Sequence, residues 1–175
     1  MNTSRSFFLR TCLLATALGA MCANGAAGAT EDDLQPVGEA RLQVLLWPVY
    51  QSRLFAPGGS YNPDARPLRF EITYLRDITA DDLVDRTRTE WEHLSLKHPQ
   101  QEQWLAQLQN LWPDVQEGDT LSLVLDETSS RFYFNNDLLG EMPDAAFGPQ
   151  FLAIWLSPAT SRPELREALL GIAGD

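Results

Sequence analysis

Cysteine is nearly missing from this 175-residue chain, and the two present, Cys12 and Cys22, both fall within the first 29 residues. Those residues read as a secretory leader. Arg5 and Arg10 make a basic start, Thr11 to Met21 is almost wholly apolar or small, and Ala27-Gly28-Ala29 offers a small-x-small cleavage site before Thr30. The apolar stretch is too short to span a bilayer. Met21, directly before Cys22, is a poor lipidation neighbour. The expectation is therefore a cleaved leader over 1–29, one domain over 30–175 and a periplasmic or secreted protein. On that reading no thiol remains, which excludes disulfides, thiolate metal sites and a cysteine nucleophile. Residues 30–175 are enough for one real core, and packing alone must hold it.

Positive charge is also scarce. Lys and Arg number 13 against 24 Asp and Glu, a net charge of −11; without Arg5 and Arg10 the balance is 11 against 24, or −13. Such a balance opposes nucleic acid and anionic lipid surfaces. Arg131-Phe132-Tyr133-Phe134 has the basic-aromatic look of a nucleic-acid strand but stands alone. The acids are scattered as on a solubilising surface. No repeat, low-complexity segment, phosphate-cradling glycine loop or Gly-x-Ser-x-Gly elbow occurs. The two histidines, His93 and His98, lie five apart and do not share a helix face, so they read as surface residues. Asp81, Asp82 and Asp85 lack the spacing of a calcium loop and suit the first turns of a helix. No metal and no cofactor are expected.

What the chain does have is a long strand-forming run. Val37–Trp47 and Val49–Ala56 read as two long strands with a bend near Trp47-Pro48. After a breaker-rich loop, Leu68, Phe70, Ile72 and Tyr74 alternate with polar residues, the pattern of a half-buried strand. The period then changes. Thr79 caps a helix over about 80–96, whose apolar stripe is Leu83, Thr87, Trp91 and Leu94. Pro99 breaks it, and a second helix carries Trp104, Leu105, Leu108, Leu111 and Trp112. Strands return at Leu121–Leu125, 131–134 and 138–142, the last two joined by Asn135-Asn136-Asp137. Asp144 is the expected cap of a helix bearing Phe147, Phe151, Ile154 and Trp155. Ser161-Arg162-Pro163-Glu164 reads as a capping box before Leu165, with Gly171 ending that helix. Elements segregated in this way imply an α+β fold, helices on one face of an antiparallel sheet. Trp91, Trp104, Trp112 and Trp155 fall on apolar helix faces and read as core, with room to line a cavity.

One cation stands out. Arg41 sits among Ala40, Leu42 and Val44, where it needs either solvent or an anionic partner. It is either a surface residue or an anchor for an anionic ligand at the mouth of a cleft.

The run Val37–Pro57, then 68–78, then Phe132-Tyr133-Phe134-Asn135-Asn136 with Leu139-Gly140-Glu141, then Phe151 and Ile154-Trp155-Leu156-Ser157-Pro158 resembles the bacterial chalcone isomerase-like proteins. The resemblance implies an open-faced β-sandwich, a long antiparallel sheet with a helical layer on one face and a ligand cleft between them. It also implies relatives of two kinds, enzymes that cyclise chalcones and members that bind fatty acids without catalysis. The enzymes' substrate-holding arginine matches Arg41. Their strand threonine falls near Tyr50, so Arg41 and Tyr50 are the expected ligand-binding pair. Their tyrosine, asparagine and later serine or threonine fall at Leu83, Glu90 and Ala153. Leucine donates no hydrogen bond and glutamate repels a phenolate, whereas each oxyanion donor contributes about 3–4 kcal/mol. The expected function is therefore non-catalytic binding of a small apolar or anionic ligand, such as a fatty acid. The alternatives are an isomerase or intramolecular lyase on another substrate, and an envelope interaction module.

Overall fold

A computed structural model describes residues 29–172; the leader expected over 1–29 lies, but for its last residue, outside them. After a short 3-10 turn at Glu31–Asp33, the order is β1 (Leu34–Val44), β2 (Trp47–Pro57), β3 (Leu68–Tyr74), α1 (Ala80–His93), α2 (Gln101–Leu111), β4 (Thr120–Leu125), β5 (Ser130–Phe134), β6 (Asp137–Met142), α3 (Phe147–Leu156) and α4 (Pro163–Leu169). The six strands form one antiparallel sheet in sequence order. This is the α+β architecture that the segregated pattern implied. Among the described residues no helix is long and apolar enough to cross a membrane.

Strand parity decides what each face carries. On β2, Ser52, Leu54 and Ala56 are buried, and on β3 Leu68, Phe70, Ile72 and Tyr74 are buried. These residues meet the helical layer. The alternate positions face the other way, where Arg53 and Arg69 both donate to Glu71, at 2.7 and 2.8 Å. The core between sheet and helices is aromatic. Trp112 packs edge-on against Phe132 with ring centroids 5.4 Å apart, Phe132 meets Phe151 at 5.6 Å, and Phe70 meets Trp155 at 4.7 Å. Tilted and edge-on pairs of this kind add to the burial of the rings themselves.

Two helices begin differently from the sequence expectation. Thr79 caps α1 as expected, its side chain accepting the Asp82 N–H. Asp144 does not cap α3. Its carboxylate instead accepts the Ala146 N–H at 2.9 Å and the Trp104 indole N–H at 3.2 Å, tying α2 to the α3 approach. The residue before α4 is Arg162, with no side-chain cap, and Pro163 opens the helix. Ser161 is released from capping because its hydroxyl is used elsewhere. The bend expected at Trp47-Pro48 is a tight turn at Leu45-Leu46, two residues earlier, and Pro48 is accommodated inside β2 beside a register shift in the β1–β2 pairing.

Candidate functional site

A cavity of about 450 Å³ opens between the sheet and the helical layer, within the size range of small-molecule sites. Its floor is the inward face of the sheet, with Leu42 from β1, Tyr50 from β2, Phe70, Ile72 and Tyr74 from β3, Leu121 and Leu123 from β4 and Phe132 from β5. Its roof is Trp112 with Phe151, Ile154 and Trp155 of α3. The chamber is therefore apolar and largely aromatic.

One end is charged. Helix α1 presents Leu83, Thr87 and Glu90 along one stripe and Asp82 and Arg86 beside it, and all five line the cavity, as do Arg76, Ser161 and Arg162. The i, i+4 spacing places Arg86 against Glu90, and the two form an ion pair in which Glu90 is buried and Arg86 mostly exposed. Ser161 donates to Glu90 Oε1 at 3.1 Å, which is where the hydroxyl expected to cap α4 has gone. Glu90 Oε2 is buried and has no partner, as has the Trp112 indole N–H. Buried polar atoms are rarely left in that state, and both residues line the cavity. Arg76 and Arg162 make no ion pair among the described residues.

Tyr50 sits in this wall. Its hydroxyl accepts the Trp155 indole N–H at 2.8 Å, joining β2 to α3 across the cavity. Burial pushes its phenol up to about 12, against the opposing effect of that hydrogen bond and with Glu90 nearby adding to the rise. Tyr74, fully enclosed in the floor, is raised further by the same cause. Both phenols are neutral across the physiological range.

Of the two expected ligand-binding residues, Tyr50 lines the cavity and Arg41 does not. Arg41 is exposed and lies opposite Gln51 in the β1–β2 register, between Ala40 and Leu42, which face inward. Alternation sends its side chain to the opposite face of the sheet. The guanidinium groups at the cavity belong to Arg76, Arg86 and Arg162. Nothing local marks these three in the sequence: Arg76 adjoins Asp77, Arg86 adjoins Asp85, and Arg162 lies within the Ser161–Glu164 segment that reads as a helix start. The available signal was the α1 spacing, which puts Arg86 and Glu90 at the edge of an apolar stripe. Leu83 and Glu90 do face the cavity, whereas Ala153 does not line it. His93 is exposed, with Nε2 3.2 Å from the Ala159 carbonyl, and His98 stacks on the Trp104 ring at 4.4 Å. Among the described residues no group of three or more ligating side chains could hold a metal.

Comparison with known proteins places this geometry. A family model described as chalcone isomerase-like matches residues 49–171. A Haemophilus influenzae protein described as uncharacterized is 30% identical over 137 residues, covering 78% of this chain and 68% of its own length. The crystal structure of a fatty-acid binding protein from Arabidopsis thaliana superposes with a TM-score of 0.61 at 12% identity, covering 85% of this chain and 94% of that one. That likeness concerns the fold.

Proposed function

This chain belongs to the chalcone isomerase-like family, and on that footing we propose that it is an exported, non-catalytic carrier of a small apolar ligand with an anionic head, of which a long-chain fatty acid is the model. The observation that carries the reading is the cavity itself, an aromatic chamber of about 450 Å³ with arginines at one end. The apolar body of the ligand gains by leaving water for the chamber, at about 25 cal/mol per Å² of surface buried. Its head meets Arg162 and Arg76, the two lining cations without an ion-pair partner among the described residues. Arg86 is already engaged by Glu90. Glu90 Oε2 offers an acceptor to any hydroxyl the ligand carries near its head, and the Trp112 N–H offers a donor within the chamber.

A carrier rather than an isomerase is supported by Leu83 in the α1 wall, which supplies no proton and no hydrogen bond. Phenols held neutral by burial offer donors and no base at neutral pH. The fatty-acid binding neighbour supports the ligand class by analogy of fold.

Native mass spectrometry of the gently purified protein tests both halves. The expected spectrum shows a chain beginning at Thr30 with a bound amphiphile. Replacing Arg76 and Arg162 together by Ala is expected to weaken a long-chain carboxylate about tenfold, an ordinary loss for a charge-assisted contact, and to leave the matching long-chain alcohol unchanged. An intact Met1 would contradict export, and equal affinity of the wild type and the variant for the carboxylate would contradict the placement of the head.

A further inference from the structure

The cavity does not account for the tip of the β1–β2 hairpin. Val44, Leu45, Leu46 and Trp47 follow one another there and all are exposed, Leu45 at 89%, Leu46 at 85% and Trp47 at 72%. Two-residue hairpin turns ordinarily take Gly, Asn or Asp. Leu45 instead holds a φ of 57, a region that side chains other than Asn and Asp seldom adopt. Both solubility and backbone preference oppose leucine at this place, and strain kept against such opposition points to a use.

The position of the tip supplies the use. β2 pairs with β3 from Tyr50 to Phe55, and beyond that a single bond runs from the Leu75 N–H to the Val49 carbonyl. The hairpin past Val49 has no third strand beside it, so the turn stands about 10–13 Å beyond the end of β3. Val44, beside the turn, and Val49, at the root of this overhang, both line the cavity, so the apolar tip runs continuously into the cavity wall. Its charge also differs from that of the rest of the molecule. From Ala40 to Pro63 there is no acidic residue, and Arg41 and Arg53 are the charged residues of that stretch, in a chain of net charge −11. The arm that projects is free of the carboxylates that would be repelled by lipid phosphates. Tryptophan next to leucine suits a membrane–water boundary, where an indole has one apolar and one wet side.

We propose that the β1–β2 tip is a lipid-surface anchor. Leu45 and Leu46 enter the acyl boundary and Trp47 lies at headgroup level, which holds the cavity wall against the bilayer so that an amphiphile passes between membrane and chamber. The transfer rests on the ligand-binding reading above; the anchoring does not. Because the molecule is acidic and the anchor apolar, the surface it fits is zwitterionic, and binding is insensitive to salt.

The test is co-sedimentation of the purified protein with vesicles of phosphatidylcholine, followed by tryptophan emission. The expected result is saturable binding that is unchanged between low and high salt, with a blue shift that Trp47→Phe removes. Leu45→Asp/Leu46→Asp is expected to reduce partitioning about tenfold or more. The same variant is at least as stable as the wild type, because Asp suits the positive φ that Leu45 holds, and it keeps the wild-type affinity for a soluble long-chain carboxylate, since neither residue lines the cavity. Absence of vesicle binding, or equal binding by the variant, overturns the proposal. So does tip-dependent self-association in lipid-free buffer, which would make a second copy the occupant. If vesicle binding depends on the tip and no carboxylate binds, the anchor stands and the carrier reading falls.

Discussion

Tyr50 joins sheet to helix through one hydrogen bond, and its ionisation has a measurable consequence. The folded protein holds the Tyr50 proton up to about pH 12 because the phenol is largely buried, whereas an unfolded chain releases it near 10. Unfolding therefore releases a proton in that window, and stability falls as pH rises from 10 to 12. Tyr74 is shifted in the same direction. Chemical denaturation at pH 8, 10 and 11.5 is expected to show a progressive loss to which Tyr50 contributes about 2–3 kcal/mol by pH 12. Tyr50→Phe is expected to be less stable near neutrality, by about 1 kcal/mol, because the Trp155 N–H loses its acceptor, and to lose less on alkalisation. A variant curve parallel to the wild type would contradict the role given to this phenol. Tyr50 was legible in the sequence only through its resemblance to a family strand position. Arg41 was singled out by its apolar neighbours, but a strand shows alternate residues to opposite faces, and composition does not say which face holds the cleft. Ala40 and Leu42 face in, so Arg41 faces out.

Among the elements, α4 packs its backbone directly against β1 at Gly38. A Cβ added at Gly38 would lie 2.2 Å from the Ala168 carbonyl oxygen and 2.8 Å from that of Leu169. Neither atom is the end of a flexible side chain, so helix or strand must move. Gly38→Ala is expected to cost roughly 1–3 kcal/mol in urea unfolding, the range of overpacking, although most glycine-to-alanine changes in a strand help it. An unchanged midpoint would contradict the packing of α4 on the hairpin. The order and kind of elements were readable because period 2 and period 3.6 alternate cleanly along the chain. The starts of α3 and α4 were not. Asp144 and Ser161 stand where caps belong, but each side chain is used in a tertiary contact, with Trp104 and with Glu90, and a local motif carries no information about a partner 40 or 71 residues away. The turn was misplaced for a related reason: Pro48 marks a break by composition, yet β2 accepts it next to the register shift.

At the scale of the molecule, one asymmetry organises the rest. The helical layer covers one side of the sheet, and the space it leaves is apolar in its depth and charged at one end, with an uncovered hydrophobic hairpin beyond. A chamber of this kind is a binding site only if it is open to a ligand in solution. The most direct measurement is displacement of a fluorescent long-chain fatty acid by an unlabelled one, run on the wild type and on Leu83→Trp. Leu83 is half-buried on α1 and lines the cavity, so an indole there extends into the chamber while the fold has room to accept it. The wild type is expected to bind one fatty acid per chain, saturably, and the variant to bind at least about tenfold more weakly with an unchanged unfolding curve. Binding unaffected by the filled cavity, or no saturable binding by the wild type, would contradict the account.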